Sequence, residues 1–272
     1  ATQNPANPTP TPAAAPPEAG DNVTVVTTAE EFLALTSSDT TVQLGDDIDL
    51  GTAGVKTKCP TYLDLNGHTL TSSAGAVPEL LHHFTLTDTS ADKTGAIINT
   101  NTGTSYGIKC AAKNLAVSID GAEIDAAAQA IMINGVGSVV TVKNSAVLNG
   151  GTHAVNVGAN GMLNIENAVI NSNIEYNGCA VYSSGGTVTI EDGIFNYNGT
   201  MNTIGVSGTS NFTINGGTFT NPNRGRGVIN TVKGFSGTLT INGGTFENTE
   251  GSVGAYSILD GDEATTTAPK IN

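Results

Sequence analysis

The chain has 272 residues, 24 acidic and 10 basic, and a formal net charge of −14. Only 12% of its residues are charged and no basic stripe appears, which excludes phosphate-neutralising nucleic-acid binders and disfavours an anionic membrane surface. No apolar run approaches the length of a transmembrane helix.

Residues 1–21 are rich in Pro, Thr and Ala, with the alternation Asn7-Pro8-Thr9-Pro10-Thr11-Pro12. Such a segment is extended and has little intrinsic fold. It reads as a linker, or as an arm that docks on a neighbouring subunit through Pro8, Pro10 and Pro12. The first residue is Ala1 rather than Met. A small residue there fits a mature N-terminus left by signal-peptide removal, so an extracellular or cell-surface protein is expected.

Residues 22–40 read as an N-terminal cap. Thr28 and Glu31 have capping-box spacing, and Thr28-Ala29-Glu30-Glu31-Phe32-Leu33-Ala34-Leu35 predicts a short amphipathic helix. A helix here would act as a lid on the bare first coil of a solenoid. The first alternating strand is Thr41–Leu44.

The body, 41–260, is built on one nine-residue phrase. It reads Asn211-Phe-Thr-Ile-Asn-Gly-Gly-Thr-Phe219 and returns as Thr238-Leu-Thr-Ile-Asn-Gly-Gly-Thr-Phe246. Looser copies start at 116, 139, 162 and 187, so the steps are 23, 23, 25, 24 and 27 residues. A near-fixed period of this size signals a solenoid. The fourth position is apolar throughout, as Ile119, Val142, Ile165, Ile190, Ile214 and Ile241. With an apolar second position this is a strand with one buried face.

The outward third position is Ser118, Thr141, Asn164, Thr189, Thr213 and Thr240. Gly and Asn then make a corner. The ninth position is apolar again, at Ile124, Val147, Ile170, Phe195, Phe219 and Phe246, and the three Phe residues are expected to form a core stack. A third apolar stretch follows at 130–133, 154–157, 180–182, 204–206 and 228–229, after Asn-rich turns at Asn149, Asn171, Asn173, Asn196, Asn198, Asn221 and Asn248. Three short strands and three corners in roughly 25 residues describe an all-β parallel β-helix. Residues 62–70 match the phrase, with Leu63 and Leu65 inward; from Phe84 to Ala116 the interval exceeds one period and leaves the register open. Residues 261–272 read as a C-terminal tail.

The phrases Leu63-Asp-Leu-Asn-Gly-His-Thr-Leu70 and Thr213-Ile-Asn-Gly-Gly-Thr-Phe219, with the Glu30-Glu31-Phe32 helix, resemble the pectin-lyase-like right-handed β-helix superfamily. Within it they resemble the non-enzymatic repeat regions of bacterial surface proteins, over roughly residues 22–259. The resemblance implies the fold; it leaves function open, because that fold hosts lyases, hydrolases, adhesins and structural proteins.

Lyases of this fold use a basic residue beside calcium-binding Asp residues. The only arginines, Arg224 and Arg226, share one turn with no Asp cluster, and read as a solvated loop or as contacts for an acidic partner or a neighbouring subunit. Glu166 and Glu191 are successive at the fifth position and could pair as a glycosidase does, but isolated corner acids are usually only exposed. Asp46, Asp47 and Asp49, and Asp260, Asp262 and Glu263, are the candidate calcium clusters; neither follows an established loop pattern. No other cofactor is implied.

His82 and His83, adjacent on an expected strand, would point to opposite faces, and His153 stands alone. Cys59, Cys110 and Cys179 read as buried free thiols. Tyr176 and Tyr197 are the only aromatics in obvious turns, where a sugar would want a platform. The reading reached is an exported, non-catalytic structural or adhesive β-helix that self-associates, as the subunit of an extracellular filament. A carbohydrate-active or carbohydrate-binding β-helix, with a surface glycan as partner, is the alternative. A passive surface stalk is the third.

Overall fold

The computed structural model describes residues 14–173, 178–199, 201–222, 227–249 and the strand 258–260. The described residues form an all-β parallel solenoid with one short helix near its N-terminal end. From Thr61–Asp64 onward successive strands pass to successive sheets, so each strand stacks on the one three before it. Among the described residues the three sheets hold ten, nine and eight strands, and those from Thr61–Asp64 onward make eight three-stranded coils.

The phrase is the unit of this winding. Its six copies begin the strands Ala116–Asp120, Val139–Lys143, Met162–Ile165, Thr187–Ile190, Asn211–Ile214 and Thr238–Ile241 of the first sheet. Ile119, Val142, Ile165, Ile190, Ile214 and Ile241 pair directly, rung on rung. Ile241 is 7% exposed and the rest are fully buried. Each side chain gains about 1.5–3 kcal/mol by leaving water, and none could do so on a lone coil.

In the second sheet Ile124, Leu148, Ile170, Phe195, Phe219 and Phe246 form the matching inner ladder. The Phe195 and Phe219 rings stack at 4.5 Å, and Phe219 and Phe246 at 4.9 Å. The seventh-position glycine admits this pile. At Gly217 φ is +101°, and a Cβ there would stand 3.0 Å from the Gly193 carbonyl oxygen and 3.3 Å from the Phe195 ring.

Two details of these ladders depart from expectation. Val147 faces outward, paired with Glu123 and Val169, while Leu148 takes the inner place. The step from Val142 to Leu148 is six residues, against five from Ile119 to Ile124. The additional residue is absorbed by Asn144 and Ser145, both in the left-handed region at φ 54° and 62°. Leu63 and Leu65 are buried as expected, but Leu63 pairs with Leu86 and so stands on the fourth-position ladder.

The open interval after Phe84 is a single coil. Its strands Phe84–Thr87, Ala96–Asn99 and Tyr106–Cys110 pair with the coil that follows, and its length goes into corner loops at 88–95 and 100–105. The first loop closes on Asp88, which is fully buried. Asp88 accepts backbone N–H bonds from Gly67 and Ser90 at 2.9 Å and from Gly95 at 2.6 Å. Burial alone would raise its pKa; the Ser90, Gly95 and Gly67 donors outweigh burial and hold the carboxyl below its ordinary range. A depressed folded-state pKa stabilises above the unfolded pKa, about 3.9, and that stability is lost as pH falls through the folded value. Asp88→Asn is expected to cost about 1–3 kcal/mol at pH 7. Its melting temperature should fall less steeply on acidification than the parent's; parallel curves would contradict this.

Asn149, Asn171, Asn196, Asn221 and Asn248 lie within second-sheet strands rather than in turns. Three of them form an outward amide chain. Asn196 donates to Asn171, Asn171 to Asn149 and Asn149 to the Glu123 carboxylate, at 3.0, 2.8 and 2.7 Å. The Thr220 hydroxyl donates to the Asn196 carbonyl at 2.8 Å. Asn171→Ala removes one donor and one acceptor from the middle of this chain. It is expected to cost about 1–2 kcal/mol in urea denaturation; an unchanged midpoint would show the chain to be ornamental.

At the N-terminal end a strand not expected from the sequence, Thr24–Val26, pairs with Thr41–Leu44. The helix Ala29–Ala34 has its full capping box: Glu31 N donates to the Thr28 hydroxyl and Thr28 N to the Glu31 carboxylate, both at 3.2 Å. Phe32 packs into the core cluster, and Lys58 donates to the Leu35 carbonyl just past the helix.

Candidate functional site

The outer face of the third sheet carries chemistry that the phrase does not show. Its strands contain the pentapeptides Tyr106-Gly-Ile-Lys-Cys110, Gln129-Ala-Ile-Met-Ile133, His153-Ala-Val-Asn-Val157 and Cys179-Ala-Val-Tyr-Ser183. The fourth residues form one outward column, Lys109, Met132, Asn156 and Tyr182. The first residues form a second, in which Tyr106 pairs with Gln129 and His153 with Cys179.

Toward the N-terminal end the fourth-residue column continues through Glu79, which pairs with Lys109, to Lys56, which bridges to Glu79. A Lys–Glu–Lys ladder results. Glu79 lies 3.5 Å from the Lys56 ammonium and 3.8 Å from that of Lys109. The Lys109 ammonium is 6.0 Å from the Tyr106 ring centre, within cation–π range. Corner residues 74–76 approach Tyr106 through the Ala76–Tyr106 bridge. Together with Thr52, Gly54 and Thr104 these groups line an open cleft of about 550 Å³. Small-molecule sites span about 300–1,000 Å³.

Two cations face one carboxylate here, so the cleft is locally cationic on a chain of net charge −14. The Lys56 side chain is 67% exposed, so its pair with Glu79 adds little stability. These pairs orient groups that can exchange partners for a ligand's carboxylate or hydroxyls. Farther along the sheet His153 stacks on Tyr182 at 5.1 Å, and Tyr182 shares a 2.9 Å hydrogen bond with Ser207. Burial lowers the His153 pKa against an opposing bond with the Cys179 backbone, so this imidazole is neutral near pH 7.

Arg224, Arg226, Pro8, Pro10 and Pro12 lie outside the described residues, as do Tyr176, Asp262 and Glu263. Glu166 and Glu191 are exposed at the corner after the first sheet, away from the cleft, and Glu191 accepts from the Asn215 amide at 2.9 Å. Asp46, Asp47 and Asp49 each accept a backbone N–H, from Asp47, Thr69 and Gly51, at 2.8 Å. Among the described residues no group of three or more His, Cys, Asp or Glu side chains is placed to hold a metal ion.

His82 and His83 lie between strands, not on one. They reach opposite ways along the stack: His82 Nδ1 is 3.0 Å from the Thr57 carbonyl, and His83 Nδ1 accepts from Ala116 N. The three cysteines are free and buried, and burial pushes the Cys110 and Cys179 thiols up to about 12. Tyr197 is buried, its hydroxyl accepting from Met201 N, so it offers no sugar platform.

The cleft residues Lys56, Glu79, Tyr106 and Lys109 were missed because the phrase defines only the first two strands of a coil. Aligning the third-strand pentapeptides would have found Tyr106 and Lys109. Among the described residues no helix is long and apolar enough to cross a membrane. Compared with protein-family models, curated proteins and solved structures, the chain matches none of them.

Proposed function

We propose that this chain is an exported, non-catalytic β-helix of the pectin-lyase-like kind with a structural or adhesive role at a bacterial surface, and that its adhesive contact is the Lys56–Glu79–Tyr106–Lys109 cleft. One observation carries the reading. In a chain with 10 basic residues, two surround a saccharide-sized cleft that also holds an outward tyrosine. A phenol ring offers a flat face to the C–H side of a sugar. Ammonium and carboxylate groups beside it can bond hydroxyls or a uronate carboxylate. Rigid stacking then holds the site in shape without a ligand.

The carbohydrate-active reading draws on the same cleft. A glycosidase needs two carboxylates across the scissile bond, and Glu79, the cleft's carboxylate, sits between two lysines. Titration with oligogalacturonate separates the readings. Binding is expected, and Tyr106→Ala and Lys109→Ala should each weaken it about tenfold, or about 1.4 kcal/mol. Shortened or unsaturated products would contradict a non-catalytic role. Absence of binding would overturn the cleft as an adhesive contact and leave the structural role or the passive stalk.

A further inference from the structure

On the first sheet the outward residues form one continuous ladder, whose first part runs Thr41, Tyr62, Thr85, Ser118. Although they face outward, Thr41, Thr85 and Ser118 are only 3%, 6% and 4% exposed. Residues 14–20 of the Pro-rich arm cross the strands here, with Pro16 and Pro17 half-buried. Gly20 N donates to the Thr41 hydroxyl at 2.8 Å, and the Thr85 hydroxyl donates to the Pro17 carbonyl at 2.6 Å.

The periods match. From Gly20 back to Pro17 is three residues, and from Thr41 to Thr85 is two rungs. Two rungs are about 9.6 Å at the usual strand spacing. Three residues of polyproline II make one turn of about 9.3 Å. A proline-rich strand laid across this sheet therefore presents the same side to every second rung. Its carbonyls lack internal partners and are free to accept from the hydroxyls beneath.

The ladder continues in register through Thr141, Asn164, Thr189, Thr213 and Thr240. These five offer the same hydroxyl or amide groups at the same spacing, but they are half-buried rather than covered. We propose that this second half of the ladder is a docking track for the Pro-rich arm of a second copy of the chain. The second copy supplies a segment that, in its own chain, lies on the earlier rungs of the same ladder. Donor arm and acceptor track lie at different heights along the column, so the contact is heterologous and repeats into an open filament rather than closing as a dimer. The proposal rests on the structural side of the reading above and not on the cleft, which lies on the third sheet.

Sedimentation velocity across a concentration series tests it, using the full chain and the Thr189→Lys/Thr213→Lys double variant. The parent is expected to associate as concentration rises. The double variant, with an unchanged melting temperature, should need about tenfold more protein for the same association. A synthetic peptide of residues 14–20 in excess should dissolve the parent's assemblies. A parent that sediments as a monomer throughout, its arm remaining on its own coils, overturns the proposal. So does association that neither the variant nor the peptide alters. Glycan binding at the cleft would persist in both cases, so the two failures are distinguishable.

Discussion

Phe219→Ala is expected to destabilise the column by about 3–5 kcal/mol, the usual range for emptying a fully buried aromatic site. Phe219 has no exposed surface and sits between two rings, at 4.5 Å from Phe195 and 4.9 Å from Phe246. One substitution therefore breaks both stacks. The cavity cannot easily collapse, because the backbone on either side is held in register to neighbouring coils. Each coil contacts chiefly its neighbours, so the loss also weakens coupling of the last coils to the rest. Urea denaturation reads the effect, with Phe219→Leu as the milder partner. A cost for Phe219→Ala below about 1 kcal/mol would mean that the ring is not part of a tight core.

Gly151→Ala is the second large effect, and its cause is proximity rather than backbone freedom. A Cβ there would lie 1.9 Å from the Ala127 carbonyl oxygen on the preceding coil, and the same addition at Gly135 would lie 1.8 Å from the Ala112 carbonyl. The obstacle is backbone, so no side chain can rotate away. The coils must part locally, against the hydrogen bond from Gly151 N to the Ala126 carbonyl. A loss at or above the top of the overpacking range, about 3 kcal/mol, is expected. Gly75→Ala is the control, since nothing lies within 4 Å of its added Cβ. It should change stability by less than about 0.5 kcal/mol. If the two variants melt together, the close approach of the coils is wrong.

The repeat made the column legible because burial on one strand face imposes a period of two, and stacking imposes a period near 25 residues. That was enough to place Ile119 through Ile241 on one ladder. It failed where corner length changes. Asn144 suits the left-handed region, but nothing in Ser145 announces that it follows, so the ninth position falls on Val147 while Leu148 holds the inner place. Asn149, Asn171 and Asn196 read as turn residues on composition. Their partners lie 22 to 26 residues away, and a hydrogen bond across coils leaves no local trace. The cleft was hidden for a similar reason. Lys56, Glu79 and Lys109 come from three coils, and only winding brings them into one column.

The column itself is tested most directly by methyl–methyl NOEs in a deuterated sample with protonated isoleucine δ1 methyls. Ile190, Ile214 and Ile241 pair rung on rung in the first sheet. Stacking at about 4.8 Å per coil predicts strong cross-peaks from Ile214 to Ile190 and to Ile241, and a weak or absent one between Ile190 and Ile241. Absence of both Ile214 cross-peaks would contradict the stacked fold and everything placed upon it.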